Sequence, residues 1–224
     1  MMLKTKVRLG LLLLVATTAW AAPQLFTNTG FESGLTGWNL VGADYNCVAN
    51  KNAGSIPGCP DDPTLPPFAP RFYVRSGNQG MFLGYGDWSA PATLTQTVTL
   101  QQARYRVDFY YKEHDTYAQP VDNLLEVVFG PDLAHLTSAW SVVDVTQKNS
   151  WILQTVRFNT PAAGQYVVGF RFYNVWGEWA LDDTSLMKNP EPGSFVLSAV
   201  PIAIFIWRLR RRGGVSPAER ASAR

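Results

Sequence analysis

Four acidic residues close together in the middle of the chain could do acid–base chemistry. Glycoside hydrolysis requires two suitably separated carboxylates, and the residues are Glu113, Asp115, Asp122 and Glu126. Residues 113–120 read as a polar loop between strands, where acidic side chains are ordinarily only solvated. The two histidines, His114 and His135, have no serine or cysteine partner in a recognisable nucleophile motif. We therefore predict no catalytic residues and no enzyme, and a glycan-active hydrolase is the less favoured alternative.

Aromatic residues, 13% of the chain, suggest a second kind of chemistry. Aromatic rings offer flat apolar faces with polar edges, on which sugar rings can stack. Four of them lie near Gly-rich or Asn-rich turns and are the candidates for glycan binding: Tyr85, Trp88, Tyr173 and Trp176. Aromatic side chains are more often core residues than ligand platforms. A purely structural surface protein without a small ligand is therefore the alternative.

The two cysteines, Cys47 and Cys59, predict a disulfide, because an even pair in an oxidising compartment is typically bonded. The bond would close a loop of about 13 residues and stabilise the fold by about 3 kcal/mol in the chain-entropy model. Residues 44–70 around it contain six prolines, which is typical of an extended surface loop or a functional insertion. No histidine lies nearby, so a zinc site is not predicted.

The formal charge of +2 is unevenly distributed. Residues 1–21 carry +3, and residues 190–224 carry +4 from six arginines and two glutamates. Residues 22–189 carry −5, from ten cations and fifteen acids. An acidic body gives a nucleic-acid partner no electrostatic support, so we expect no nucleic acid.

Residues 1–21 are typical of a signal peptide with a helical apolar segment. Residues 1–8 are basic, residues 9–20 are mostly apolar, and Ala19 and Ala21 supply the small residues of a cleavage site. The apolar run is too short to cross about 30 Å of hydrocarbon. An uncleaved N-terminal anchor is the less favoured alternative.

Residues 190–212 combine three features in a fixed order. A short motif, Pro190, Glu191 and Pro192, precedes the uncharged apolar stretch 194–207, and four arginines follow: Arg208, Arg210, Arg211 and Arg212. A helix over 194–207 would span about 20 Å, enough for a short transmembrane helix only if the bilayer thins locally. The arginines and the tail 213–224 would stay in the cytoplasm, which leaves the body outside.

This order of features resembles the PEP-CTERM sorting signal of exported bacterial proteins. The resemblance implies recognition by an exosortase, a membrane-embedded enzyme similar to cysteine proteases, and cleavage near the Pro-Glu-Pro motif. The membrane anchor would then be transient. The tail 213–224 is longer than is usual in that family, and a plain single-span anchor is the alternative.

The elements that must position the candidate residues are β-strands. Period-2 patterns between Gly, Pro and Asn turns predict nine of them: Arg71–Arg75, Met81–Leu83, Ala92–Leu100, Tyr105–Tyr111, Leu124–Phe129, Ser141–Val145, Trp151–Asn159, Tyr166–Asn174 and Glu178–Leu186. A short helix is expected only within 131–140. We therefore predict one all-β domain over residues 22–189, a jelly-roll β-sandwich.

Landmarks along this domain resemble the galactose-binding-like jelly rolls that include many carbohydrate-binding modules. They are Asn28–Gly34 with Gly37-Trp38 at the start, Leu94–Val98 and Tyr105–Phe109 in the middle, and Trp179–Leu186 at the end. The resemblance implies that the first and last signatures pair with each other. It also implies that Trp38 and Trp179 belong to the core.

The same resemblance implies a structural calcium ion between the opening turn and the closing acidic pair. Ca²⁺ takes six to eight oxygen ligands. Carried over to this sequence, Glu32 and Asp182 would be side-chain ligands, and Asn28 would contribute near the turn. Asp183 is also a candidate, but adjacent strand residues point to opposite faces, so only one aspartate of the pair is expected to bind. A solvent-facing acidic pair at a strand end is the alternative.

Together these features predict an exported protein of the cell envelope, the outer surface or the extracellular matrix. It would first be anchored in the inner membrane, sorted by an exosortase, and secreted or retained at the surface after C-terminal processing. Its calcium-stabilised jelly roll is the candidate for binding a glycan or an extracellular polysaccharide.

Overall fold

A computed structural model describes residues 22–42, 46–52, 73–84, 91–115, 123–144, 150–174 and 177–189. The predicted signal peptide, the Pro-Glu-Pro motif, the apolar stretch and the arginines 208–212 lie outside these residues. In the described part of the chain, no helix is long and apolar enough to cross a membrane.

The described residues form ten β-strands and one 3₁₀ turn. The strands are β1 (Asn39–Val41), β2 (Asn46–Asn50), β3 (Gln79–Leu83), β4 (Ala92–Leu100), β5 (Arg104–Asp115), β6 (Leu124–Gly130), β7 (Thr137–Val143), β8 (Ile152–Asn159), β9 (Gly164–Tyr173) and β10 (Gly177–Lys188). The 3₁₀ turn, Leu133–His135, lies between β6 and β7.

Two five-stranded antiparallel sheets contain all ten strands. Sheet 1 has the order β1-β4-β9-β6-β7, and sheet 2 has the order β2-β3-β10-β5-β8. Neighbours within a sheet are mostly distant in sequence, so the chain passes repeatedly between the two layers. The all-β class and the two-sheet sandwich predicted from the sequence are confirmed.

The core lies between the sheets and consists of alternate residues of their central strands. Phe109 of β5 and Phe170 of β9 are fully buried, and their ring centroids are 5.0 Å apart in an edge-to-face contact across the two sheets. Trp179 is 0% exposed and Trp38 is 7% exposed. The expectation that both tryptophans belong to the core is confirmed.

The N-terminal segment pairs with the last strand, as the opening and closing signatures predict. The Leu25 N–H donates to the Leu186 carbonyl at 2.8 Å, and the Thr184 N–H donates to the Thr29 carbonyl at 2.8 Å. Gln96 lies on the inward face of β4 and is 4% exposed, yet its amide group exchanges hydrogen bonds with the backbone of Thr27. A buried polar side chain thus holds the N-terminal segment against sheet 1.

Three features of the strand prediction are wrong. Strands β1 and β2 have three and five residues, too short for a clear alternation, and the sequence did not predict them. Residues 73–75, the described part of the predicted strand Arg71–Arg75, are not a strand. Strand β7 occupies 137–143 rather than 141–145. The short helix expected within 131–140 is the 3₁₀ turn, whose N-cap Asp132 accepts hydrogen bonds from two backbone N–H groups.

Candidate functional site

A polar row crosses the outer face of sheet 1. The strand register places Val41, Thr93, Arg171, Glu126 and Ser141 side by side on β1, β4, β9, β6 and β7. These residues alternate with inward-facing core residues, so their side chains lie on the outer face. The middle of the row carries the two charged residues.

Arg171 and Glu126 form an ion pair at the centre of that row. The Arg171 Nε donates to Glu126 Oε2 at 2.5 Å. The Glu126 side chain is 9% exposed and that of Arg171 is 30% exposed. A charge-assisted bond of this kind fixes the orientation of the guanidinium group. The buried carboxylate therefore holds an arginine whose outer part remains accessible.

A shorter apolar row lies next to the ion pair. Tyr173, Leu124 and Val143 are side by side at the ends of β9, β6 and β7. Val143 is 51% exposed, and the other two are half-buried. We call the two rows together the sheet 1 patch: Thr93, Arg171, Glu126, Ser141, Tyr173, Leu124 and Val143. An aromatic ring beside a few fixed polar groups is typical of small-molecule and sugar sites.

Of the four aromatics predicted as glycan-binding residues, Tyr173 lies in this patch. Tyr85, Trp88 and Trp176 lie outside the described residues. Among the described residues, Ala92 at the start of β4 pairs with Phe172 near the end of β9, next to Tyr173.

The closing acidic pair, Asp182 and Asp183, lies at a β-bulge in β10. The pairing of β10 with β5 shifts register between Asp182 and Ser185, and Asp183 has a φ of 49°. Both carboxylates consequently turn toward one segment. Asp182 Oδ2 accepts hydrogen bonds from the backbone N–H groups of Arg75 and Ser76, and Asp183 contacts the Arg75 guanidinium and the Ser76 hydroxyl. The expectation that the two aspartates point to opposite faces is wrong, because it assumed a regular strand.

Asp182 is fully buried at this bulge. Burial raises the pKa of its carboxyl to about 6, although the backbone N–H groups of Ser76 and Arg75 act in the opposite direction. The same hydrogen bonds turn the N–H groups of Arg75 and Ser76 toward the carboxylate rather than toward a neighbouring strand, so the predicted strand does not run through Arg75.

The opening turn brings Glu32 and Asn28 to the same region. Glu32 Oε1 accepts hydrogen bonds from the Asn78 and Gln79 backbone N–H groups. Asn28 uses its side chain inside its own turn, where Nδ2 donates to the Gly34 carbonyl and Oδ1 accepts from the Ser33 N–H. Thus the amide of Asn28 is engaged by the backbone of the turn that it stabilises.

Gly30 marks the place where the Asp182 and Asp183 carboxylates lie beside the stem of the Glu32 side chain, whose own carboxylate lies against Gly77. A β-carbon at this glycine would lie 3.7 Å from Asp182 Oδ1, 3.8 Å from Asp183 Oδ1 and 3.9 Å from Glu32 Cγ. Still, no group of three acidic, histidine or cysteine residues in the described part of the chain is arranged to hold a metal ion. Backbone N–H groups and Arg75 already satisfy these carboxylates, so an ion would have to displace some of these donors.

The acidic residues considered for hydrolysis do not share a face. Glu113 is fully buried and pairs in register with Trp179, and its Oε1 accepts a hydrogen bond from Asn123 Nδ2 at 3.0 Å. Glu126 lies on the outer face of sheet 1 with Arg171. Asp122 and the side chain of Asp115 lie outside the described part of the chain. Glu113 thus faces the interior of the sandwich and Glu126 the outside of sheet 1, so that this sheet lies between the two described glutamates.

Cys47 is buried in β2 and carries no free thiol. Its expected partner, Cys59, lies outside the described residues, so the pairing of the two stays a prediction. Cys47 packs in a small second cluster with Ala49, Tyr73, Phe82 and other residues on sheet 2.

The sequence did not single out Arg171, and it considered Glu126 only as an acid for hydrolysis. A charged residue on the outer positions of two separate strands looks like an ordinary solvated residue. Only the pairing of β6 with β9 makes them direct neighbours. The alternation of charged and apolar residues within each strand predicts that Arg171 and Glu126 lie on the outer face. It does not predict that they pair with each other.

No protein-family model and no curated protein matches the sequence. The solved structure of TmCBM61 in complex with β-1,4-galactotriose is 19% identical with a TM-score of 0.54, and the match covers 75% of this chain and 100% of that one. The tandem domain CBM22-1–CBM22-2 of Paenibacillus barcinonensis Xyn10C is 13% identical with a TM-score of 0.50, and the match covers 79% of this chain and 49% of that one.

The shared feature is the fold. The described domain has the jelly-roll architecture of these carbohydrate-binding modules. The galactose-binding-like fold implied by the sequence landmarks is therefore confirmed.

Proposed function

We propose that the domain is a non-enzymatic glycan-binding module of an exported surface or matrix protein. The observation that carries the proposal is the sheet 1 patch, where a half-buried tyrosine lies beside an oriented, partly exposed arginine. Tyr173 would stack on a sugar ring, and Arg171 would donate to its hydroxyl groups. The modular fold and the separation of Glu113 from Glu126 support binding rather than hydrolysis.

Within the patch the charges of Arg171 and Glu126 cancel, and the remaining residues are neutral. We therefore expect a glycan recognised through hydroxyl groups and ring faces. A polyanionic chain would gain no net attraction from this face.

The test is glycan-array and affinity-electrophoresis binding by the purified full chain and two variants, Tyr173→Ala and Arg171→Gln. Each is expected to weaken binding about tenfold, as for the loss of one central contact. Matched controls on the opposite sheet, Tyr110→Ala and Arg157→Gln, should bind as the unaltered chain does. If the unaltered chain binds no glycan, the proposal fails and the purely structural surface protein remains.

Calcium binding is a separate proposal, supported by the Asp182 and Asp183 carboxylates beside Gly30 and by the Glu32 side chain next to them. Glu32, Asp182 and Asp183 would supply oxygens to the ion, with Asn28 holding the turn. Because bound metal stabilises only the folded state, added Ca²⁺ should raise the melting temperature and EDTA should lower it.

The Glu32→Gln variant should lose most of that calcium response while keeping the fold. Arg75→Ala is a useful comparison, since it removes the cation that now contacts Asp183 and should strengthen the response. A melting curve that is identical with Ca²⁺ and with EDTA would contradict calcium binding and leave glycan binding untouched.

The proposal also includes export by residues 1–21 and handling of residues 190–212 by an exosortase. Its support is the order of features in the sequence: the Pro-Glu-Pro motif, the apolar stretch and the arginines. The body would then begin in the inner membrane and end at the cell envelope, the outer surface or the extracellular matrix.

A further inference from the structure

A cluster of basic side chains lies at one end of sheet 2. Arg106 of β5 is directly opposite Arg157 of β8, on the outer face. Arg104 lies two residues earlier on the same face of β5. We call Arg104, Arg106 and Arg157 the basic cluster. Arg104 and Arg157 are exposed, and Arg106 is half-buried.

Few acidic groups balance this cluster. The Arg106 Nε lies 2.8 Å from Asp108 Oδ2, and Asp108 also accepts a hydrogen bond from the Thr155 hydroxyl at 2.7 Å. Three cations and one acid give +2.

The rest of the body is strongly acidic by comparison. Residues 22–189 carry −5 in total, so the body outside the cluster carries −7. Like charges directly opposite each other on paired strands destabilise a sheet. The Arg106–Arg157 pair therefore has no evident structural benefit, which points to an anionic partner.

The position of the cluster in the fold indicates which kind of anion it binds. The Asn189 N–H donates to the Arg104 carbonyl at 2.8 Å, so the chain leaves the domain beside the cluster. The next residues are the Pro-Glu-Pro motif and the apolar stretch 194–207. A domain held by that stretch would have this end of sheet 2 nearest to the bilayer.

We propose that the basic cluster binds the phosphate groups of anionic lipids while the chain is anchored; this rests on the anchoring part of the proposed function. Arginine matches phosphate geometry with several N–H donors. Basic residues near a membrane surface are attracted to anionic lipids, and the attraction falls off within a Debye length. The acidic remainder of the body would face away from the membrane.

The experiment uses the full chain in lipid nanodiscs made of phosphatidylcholine alone or of phosphatidylcholine with phosphatidylglycerol. Hydrogen exchange is measured over residues 150–161, which include β8. We expect exchange at least twofold slower with phosphatidylglycerol at 50 mM NaCl, and no difference between the lipids at 0.5 M NaCl. Arg104→Gln should abolish the lipid difference without altering the measured segment, and Lys51→Gln, an equal change of charge outside the cluster, should preserve it.

Equal exchange in both lipids at low salt overturns the proposal, as does an Arg104→Gln chain that retains the full lipid difference. If hydrogen exchange is equally slow in detergent without lipid and the protein forms dimers in size analysis, the cluster binds a second copy of the chain. That result also overturns the proposal. A chain that does not enter nanodiscs contradicts the anchoring instead. The cluster is then tested by sedimentation with phosphatidylglycerol vesicles, and absence of co-sedimentation refutes lipid binding.

Discussion

Lys112 is a buried cation on the outer face of sheet 2. It lies opposite Ala180 in the strand pairing and is 4% exposed. Its Nζ is 4.9 Å from the centroid of the Trp151 ring, close enough for a cation–π contact. Burial nevertheless lowers the pKa of its amine to about 8. Because the pKa of this buried amine differs between the folded and the unfolded chain, the stability of the domain depends on pH.

We predict that the free energy of unfolding rises between pH 8 and pH 10. The unfolded chain keeps the Lys112 proton up to about pH 10.4, whereas the folded chain loses it near pH 8. In that window the unfolded state binds more protons, so stability increases with pH. The total effect is about 3 kcal/mol at most, and urea unfolding at pH 7.5 and pH 10 measures it.

The matched variants for this prediction are Lys112→Met and Lys188→Met. Lys112→Met should show no increase in the free energy of unfolding between pH 8 and pH 10, because the apolar side chain has no proton to release. Lys188→Met removes an exposed lysine and should show the same increase as the unaltered chain. Measurements stop at pH 10, since burial raises the pKa of Tyr73 and Tyr111 and their ionisation at higher pH would act in the opposite direction. If the stability of the Lys112→Met variant still rises between pH 8 and pH 10, the pH dependence does not come from Lys112.

At the scale of the elements, β4 and β9 approach each other closely at Gly169. A β-carbon at this position would lie 2.7 Å from Thr95 Cα. The obstacle is backbone, which cannot move aside as a flexible side chain can. The pairing of β9, the strand that carries Arg171 and Tyr173, with β4 therefore depends on a residue without a side chain.

Gly169→Ala is expected to lower the free energy of unfolding by about 1–3 kcal/mol, the usual range for overpacking. Gly164→Ala is the control at the start of the same strand, where the nearest contact of a β-carbon is Tyr166 Cε2 at 4.0 Å. That change should stay within about 0.5 kcal/mol. Thermal melting of both variants measures the change in stability. If the two variants lose the same amount of stability, strand propensity rather than the close approach of the backbones is responsible.

The β-bulge in β10 is a second element with a consequence for the site. It rotates Asp183 so that both aspartates face the segment that contains Arg75 and Ser76. Without the extra residue, one of the two carboxylates would point away. The bulge thus creates the acidic region around Gly30, and with it the only arrangement among the described residues that supports the calcium proposal.

At the scale of the whole molecule, the net charge differs between the ends of the chain and its body. The two ends are basic and the body is acidic, and within the body three arginines of β5 and β8 lie at the end of sheet 2 near Asn189. The net charge of +2 therefore describes no single part of the protein.

We predict that the protein released from cells begins at Ala22 and ends near the Pro190–Pro192 motif. Cleavage by a signal peptidase would follow Ala21, and exosortase processing would remove the apolar stretch and the arginines. Mass spectrometry of the secreted protein locates both ends. A membrane-retained chain with residues 190–224 intact would contradict the sorting prediction and favour a plain anchor.

The sequence by itself determined the all-β class and most of the long strands, which follow from local alternation. The burial of Trp38 and Trp179 was implied by the resemblance of the sequence landmarks to jelly-roll domains, and it agrees with the cost of exposing large apolar rings. The same resemblance, through the pairing of the first and last signatures, implied that Glu32 and the Asp182–Asp183 pair lie in one region.

Only the tertiary structure decided which side chains meet. Arg171 and Glu126 are 45 residues apart, and Arg106 and Arg157 belong to strands that are not consecutive in the chain. Alternation along one strand fixes a face, but the neighbour on that face depends on the order and register of strands. The direction of Asp183 likewise depends on a bulge set by the partner strand. Local pattern therefore determined the fold, and long-range pairing determined its sites.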